Sequence, residues 1–541
     1  MTDQSPCADR SQSARLVPAV FVFQIIALAG AGWINRQALN PDGVAYMRIA
    51  SYYASGKMDL AISGYWGPLL SWLLVPWLKA GVTAVAAARI VMALSAVYFL
   101  WASWRVFVRF GLGGKPLHWA LWSVAAVSVL WSVENITPDL LLGALVGHAF
   151  SIMTTARWLE RPVAAWLTGL CWGLAYLAKG VGFPVALLIC AGMAGPWWSE
   201  RPGSRAHLTR GLLFTLMGFS LLAAPWVAIL SAKYGGFTFS TSGRLNHAMV
   251  GPPDVHRFYP LDRGLHRPEA GRVTFWEDPQ VPYPDWSPFA SIGNAMHQLR
   301  IVARNGSVVL IMLTSVSLAF PIILSVILCR LYRLEWRARL RPGNWWWAAL
   351  PVMALASVYL PGNLLITEQR YFYPALPYLL VLHVGSLFWW RTAAGTLWLQ
   401  RQGMVLLACA VIIPTLGRSW LRPGPARAAG VQAHLLAQKI SEAHLAGPIA
   451  GSGSMSGGRT GLYLAFLLDQ PWYGDEPHPS AAGFKQSGAR LIIVRRVNLV
   501  VGQLDADPAF RSLDAGLFAS AEQARAFPLK VYELSAFRPT Q

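Results

Sequence analysis

Charge is scarce in this chain. Of its 541 residues only 13% are Asp, Glu, Lys or Arg, against roughly 25% in soluble domains. With 55% hydrophobic residues and a mean hydropathy of +0.41, that shortage excludes an ordinary soluble protein and points to a multi-spanning membrane protein. Acidic residues are scarcer still, 25 against 45 Lys and Arg, for a formal net charge of +20. Such an excess would suit nucleic acid, but no basic stretch carries interleaved, solvent-facing aromatics. Membrane proteins concentrate Lys and Arg in their cytoplasmic loops, which accounts for the imbalance without a nucleic-acid partner. Cysteine is rare too: Cys7, Cys171, Cys190, Cys329 and Cys409. Four of them lie in apolar runs and none in the long polar segments, so no disulfide framework or metal knuckle is implied.

What the chain has is long apolar runs. They lie at 16–34, 84–107, 116–133, 137–156, 163–178, 181–198, 209–231, 305–329, 345–361, 371–390 and 397–417, each near the ~20 residues a spanning helix needs. The first, with only Arg10 and Arg15 ahead of it, reads as a retained signal anchor. A shorter run, 66–80, holds Pro68, Pro76 and Lys79 and reads as a helix lying at the interface. The 26 Trp fit interfacial aromatic belts. The expectation is an all-α polytopic domain of about eleven spans over residues 1–419.

The turns holding Arg105, Arg109, Lys115, Arg157, Arg161, Arg201, Arg205, Arg210, Arg330, Arg333, Arg337, Arg339, Arg341, Arg391 and Arg401 carry fifteen basic residues. The short turns on the opposite side hold two, Lys179 and Arg370. The positive-inside rule puts the rich set in the cytoplasm. The loops 37–83 and 232–303 then face outward, as does the 420–541 tail. The tail has ordinary globular composition and reads as a small α/β domain, from stretches such as "GPIAGSG", "GLYLAFLL", "ARLIIVRR" and "LKVYELS".

Ionisable groups near membrane spans are costly and are functional hypotheses by default. On the outward side they gather at Asp42, at Glu134 and Asp139, at Lys179, and at Glu368 and Arg370. Each also has a plainer reading. Asp42 in "NPDG" could form a turn. Asp139 after Pro138 could cap a helix. Lys179 could snorkel to headgroups, and Glu368 could pair with Arg370. Gathered on one side, carboxylates beside cations suit a phosphate-handling site.

Five stretches in order carry a family resemblance: "PDGVAYMRIASYYASGKMDLAISGYWGPLLSWLL", "ARIVMAL", "ITPDLLLGAL", "GLAYLAKGVGFP" and "EQRYFYPALPYLLVL". Over residues 15–417 the sequence resembles the polyprenyl-phosphate-sugar glycosyltransferases of the class C fold, which include protein O-mannosyltransferases and lipid A aminoarabinose transferases. The tail resembles the soluble domain some members carry. The resemblance implies that Asp42 is the catalytic base and Asp139 a second catalytic carboxylate. It implies that Lys179, Arg370 and Tyr371 bind the lipid phosphate, with Glu134 and Glu368 in supporting places. It also implies interfacial helices in the first outward loop, in keeping with 66–80. Many members have a second acidic residue after the first; here that position is Gly43, a departure that weighs against protein mannosylation in particular.

The implied partners are a polyprenyl-phosphate-linked sugar, a glycan, lipid or protein acceptor, and membrane lipids, at the cell (inner) membrane. The leaving phosphate monoester needs no general acid, only a base for the acceptor hydroxyl and cations for the growing charge. No cofactor is demanded, although Asp42 and Asp139 could share a divalent metal. Other motifs carry less. "DAD" at Asp505–Asp507 lacks a partner motif, "GSGSMSGGRTG" (451–461) reads as a packing turn, and His247, His256 and His266 lack zinc spacing and read as solvated. "TFWEDPQVPYPDWSPF" (274–289) could contact sugar or acceptor, or could order its loop. A transporter or lipid flippase is the rival reading, but such proteins place ionisable groups near the midplane on interrupted helices.

Overall fold

The computed structural model describes residues 6–155, 158–200, 205–255, 257, 264–265, 267–280, 283–332, 345–362, 368–394, 397–421, 425–452 and 454–535. His256, His266 and much of the basic turn 333–344 lie outside them. The chain runs α1 (Pro6–Ile34), α2 (Pro41–Ala54), α3 (Met58–Ala61), α4 (Pro68–Lys79), α5 (Ala84–Arg109), α6 (Gly114–Glu134), α7 (Asp139–Met153), α8 (Pro162–Ala178), α9 (Gly182–Glu200) and α10 (Arg205–Tyr234). After α11 (Ser242–Ala248) come α12 (Ile292–Val316), α13 (Phe320–Tyr332), α14 (Ala349–Tyr359), α15 (Leu376–Ala394) and α16 (Leu397–Leu421). Proline opens α2, α4 and α8, where its fixed φ suits the first helical position and its missing N–H costs nothing.

Among the described residues, five helical stretches are long and apolar enough to cross a membrane: Leu16–Ile34, α5, α6, α10 and α12. The chain is a multi-pass membrane protein. The outer faces of α1 and α10 leave Val22, Ile26, Leu216 and Leu221 more than half exposed, as lipid-facing side chains are. Where α8 crosses α10, small residues bring the backbones together: a Cβ at Gly169 would sit 2.0 Å from the Thr215 carbonyl oxygen, and one at Gly218 would sit 2.3 Å from that of Trp166. Small residues at crossings are how helices pack when lipid supplies no hydrophobic drive between them.

One expected span is not a single helix. The 305–329 run divides into α12 and α13, and α12 begins at Ile292, inside the expected loop. In a continuous helix Pro321 would have to donate to Ser317, and its ring would meet that carbonyl. The chain breaks there instead, and Leu318 N donates to Ala410 O on α16 (2.9 Å). The α4 helix has 12 residues, about 18 Å, too short for the ~30 Å hydrocarbon layer. It packs on α2, α5 and α8.

The tail contains α17 (Pro425–Glu442), β2 (Ile449–Ser452), α18 (Ser454–Leu468), β3 (Trp472–Glu476), β4 (Leu491–Arg495), β5 (Phe510–Ser512) and β6 (Leu529–Leu534), with short helices between. The strands form a mixed sheet in the order β1-β3-β2-β4-β6-β5, and β4, buried from Leu491 to Val494 with Arg495 exposed, reads as its central run. The edge strand β1 (Gly264–Leu265) comes from the long loop and pairs antiparallel with β3. Trp472 N also donates to Val273 O (2.6 Å). The 37–83 and 232–303 segments are joined in turn at Asp278, which accepts from Ser63 Oγ (3.1 Å), Tyr234 Oη (2.7 Å) and Lys233 Nζ (2.8 Å).

Candidate active site

The helix ends named by the sequence meet at one cavity of about 470 Å³. Asn40 caps α2 in extended conformation, Pro41 opens it, and Asp42 lies in its first turn. "NPDG" is therefore a helix start, not a turn. Asn40 Oδ1 accepts from Ile136 N (2.8 Å), fixing the start of α2 against the segment leading into α7. Asp139 is the first residue of α7, and its side chain makes no capping bond. It reaches Lys179, at the C-terminal end of α8, with Nζ–Oδ1 at 2.6 Å. The Asp139 side chain is 2% exposed, so a buried carboxylate has its cation. The capping and snorkelling readings both give way to this pair.

Arg370 holds two carboxylates. Its Nη2 lies 2.6 Å from Asp42 Oδ2 and its Nε lies 3.0 Å from Glu368 Oε2. Burial works against its charge, and Asp42 and Glu368 more than offset that, holding the guanidinium above its usual range. Tyr371 lies under both cations, with Lys179 Nζ 4.4 Å and the Arg370 guanidinium carbon 5.5 Å from its ring centre, and it stacks on Tyr359 at 5.2 Å. Asp42, Asp139, Lys179, Glu368, Arg370 and Tyr371 all line the cavity. Glu134 does not. It accepts from Tyr373 Oη (3.1 Å), whose ring stacks on Trp131 at 3.6 Å.

The other carboxylate oxygen of Asp42 is held by a residue with no charge to advertise it. Trp276 Nε1, from the long loop, donates to Oδ1 at 3.1 Å. A buried scaffold sets this tryptophan. Thr274 Oγ1 accepts from Trp276 N (3.2 Å), and Glu277 Oε1 accepts from the amides of Val273 and Thr274 (3.0 Å each). Tyr52 Oη of α2 donates to Glu277 Oε2 (2.8 Å), and Trp66 Nε1 donates to Trp276 O (2.8 Å). The aromatic and acidic stretch 274–289 thus reaches Asp42 directly. Its pattern flagged the segment, but nothing local says which tryptophan folds inward.

His247 also lines the cavity instead of lying in solvent. It stacks on Trp286 at 4.4 Å, and its Nε2 lies 3.0 Å from Gln298 Oε1. Gly43 has a physical reason: a Cβ there would fall 2.7 Å from Asn40 Oδ1 and 2.8 Å from Ile136 Cβ. Of the two motifs set aside, the Asp505–Asp507 stretch stays outside the site. Asp505 bonds Lys530 and Tyr532, and Asp507 pairs with Lys485 (2.5 Å). The glycine-rich 451–461 stretch runs from β2 into α18, and of its described side chains Arg459 lines the cavity. Among the described residues no group of three His, Cys, Asp or Glu could hold a metal ion. A divalent ion shared by Asp42 and Asp139 would have to displace Arg370 and Lys179.

No family model and no curated protein sequence matches this chain. Solved structures do. A crystal structure of ArnT from Cupriavidus metallidurans bound to undecaprenyl phosphate superposes with a TM-score of 0.55 at 14% identity, covering 98% of this chain and 99% of that one. Its apo state gives the same score and identity, over 99% and 100%. This chain has the class C glycosyltransferase fold, with a small C-terminal α/β region. The arabinofuranosyltransferase AftD from Mycobacteria aligns at a TM-score of 0.45 and 15% identity, over 95% of this chain and 40% of that longer one. The cavity lies where the segment carrying α2 to α4 meets the ends of α7 and α8.

Proposed function

We propose that the chain is an integral-membrane, inverting glycosyltransferase that moves a sugar from a polyprenyl-phosphate donor to an acceptor hydroxyl on the outer face of the membrane. The observation that carries this reading is the Asp42–Arg370 contact at 2.6 Å, beside the Lys179–Asp139 pair, in one cavity. A solved protein of the same fold binding undecaprenyl phosphate supports the donor class.

In this structure the base and the phosphate-binding cation occupy one another. A donor phosphate arriving at Arg370 competes with Asp42 for it, through charge-assisted and bidentate hydrogen bonds. Asp42 is then released toward the acceptor while Trp276 still orients it. The acceptor oxygen attacks the anomeric carbon, its proton passes to Asp42, and the bond from that carbon to the phosphate oxygen breaks. The leaving polyprenyl phosphate takes the electron pair, and Arg370 and Lys179 stabilise its second negative charge. Direct attack inverts the anomeric centre. The transporter reading has less support. The interruption at 317–319 carries no ionisable side chain, and the charged residues stand at helix ends.

The test is sugar transfer from a radiolabelled lipid-linked donor by purified wild type and Asp42→Asn. The amide keeps the shape and cannot take the proton, so turnover is expected to fall ~10²–10⁴-fold. Donor binding should persist or tighten, because Arg370 is freed. Near-normal transfer would remove Asp42 from the chemistry.

A further inference from the structure

The cavity's wall is completed by the tail. Helix α18 packs on β2, β3, β4, α17 and also on α2, the helix that carries Asp42. Two contacts hold it there. A Cβ at Gly461 would lie 2.4 Å from the Trp472 ring, so only glycine lets the helix lie this close to the sheet. Arg48 Nη1 of α2 meets Asp469 Oδ1, just past the end of α18, at 2.8 Å. Fixed in this way, α18 presents Arg459 to the cavity that holds Asp42, Lys179 and Arg370.

The charges of that wall explain why a third cation matters. The described lining residues include three carboxylates, Asp42, Asp139 and Glu368. Lys179 and Arg370 are already joined to them at 2.6–3.0 Å. Without Arg459 the wall would carry an excess negative charge, which opposes an incoming phosphate. With it, carboxylates and Lys or Arg side chains balance, and a phosphate oxyanion meets a planar guanidinium suited to it.

We propose that Arg459, supplied by the C-terminal domain, is a binding residue for a phosphate group in this cavity, so that the domain is part of the substrate site. This rests on the glycosyltransferase reading. The phosphate belongs either to the donor headgroup or to a phosphorylated acceptor.

Full-length wild type, Arg459→Gln and Arg459→Lys, purified in detergent, are compared for binding of undecaprenyl phosphate and of undecaprenol. If the headgroup is the source, Arg459→Gln binds undecaprenyl phosphate about 10- to 100-fold more weakly, as for loss of a charge-assisted bond. Arg459→Lys then keeps part of the affinity, and undecaprenol binding does not change. If the acceptor is the source, undecaprenyl phosphate binding is unchanged. The thermal stabilisation that inorganic phosphate gives to protein saturated with that lipid is then lost in Arg459→Gln. A variant matching wild type in both assays overturns the assignment, as does one that loses undecaprenol binding equally. Failure of wild type to distinguish undecaprenyl phosphate from undecaprenol would overturn the donor reading itself.

Discussion

Asp42 has two hydrogen-bonding neighbours with different consequences. In the proposed mechanism Arg370 leaves it when phosphate binds and Trp276 stays. Trp276→Phe keeps an aromatic ring among Tyr65 and Trp66, which lie 5.3 and 5.9 Å away, and removes the N–H together with part of the indole's volume. A hydrogen bond to a charged group is worth about 1.5–3 kcal/mol, so turnover should fall roughly 10- to 100-fold with donor affinity unchanged. Steady-state kinetics would expose the error if KM for the donor moved and turnover did not. Lys179 shows a different dependence. Its removal leaves the carboxylate of Asp139 buried without a cation, a loss of about 3–5 kcal/mol. Lys179→Met should therefore lower the thermal midpoint, and Lys179→Met with Asp139→Leu should recover it while remaining inactive. A single variant as stable as wild type would show that the pair does not anchor the helix ends.

At the scale of elements, the joint between α2 and the 135–138 segment sets where Asp42 stands. Asn40 ties the two, and Gly43 leaves room for Ile136. The absent second acid is thus a packing matter: its Cβ has no space. Gly43→Ala should cost about 1–3 kcal/mol by overpacking and disturb the Asn40–Ile136 bond, and Gly43→Asp should do no better. A thermal melt of Gly43→Ala that coincides with wild type would mean the joint can open at no cost.

Across the whole molecule, the long loop and the tail form one sheet, and both touch α2, the helix that carries Asp42. They must lie on the same side of the membrane. Phe289 of the loop and Leu499 of the tail are 96% and 93% exposed. Cysteines placed there, in a background lacking the native five, should both be labelled by an impermeant maleimide in intact cells. Labelling of either only after the inner face is opened would contradict the outward assignment.

The apolar runs, their prolines and the charge asymmetry suffice to read a multi-pass helical membrane domain from the sequence, because burying a helix in lipid demands a local composition. The stretches at 449–452, 491–495 and 529–534 are legible as strands for the same kind of local reason. Asp42, Asp139, Lys179, Arg370 and Tyr371 were legible as unusual charges and aromatics at helix ends. The Glu368–Arg370 pair, two residues apart, was legible as well; which cation meets Asp139 or Asp42 was not, since Asp139 and Lys179 stand forty residues apart and Asp42 and Arg370 more than three hundred. The inward turn of Trp276, the place of His247 beside Trp286, the strand that the loop gives to the tail, and the arrival of Arg459 at the cavity are long-range contacts. They depend on how the helices pack, which composition within a segment does not encode.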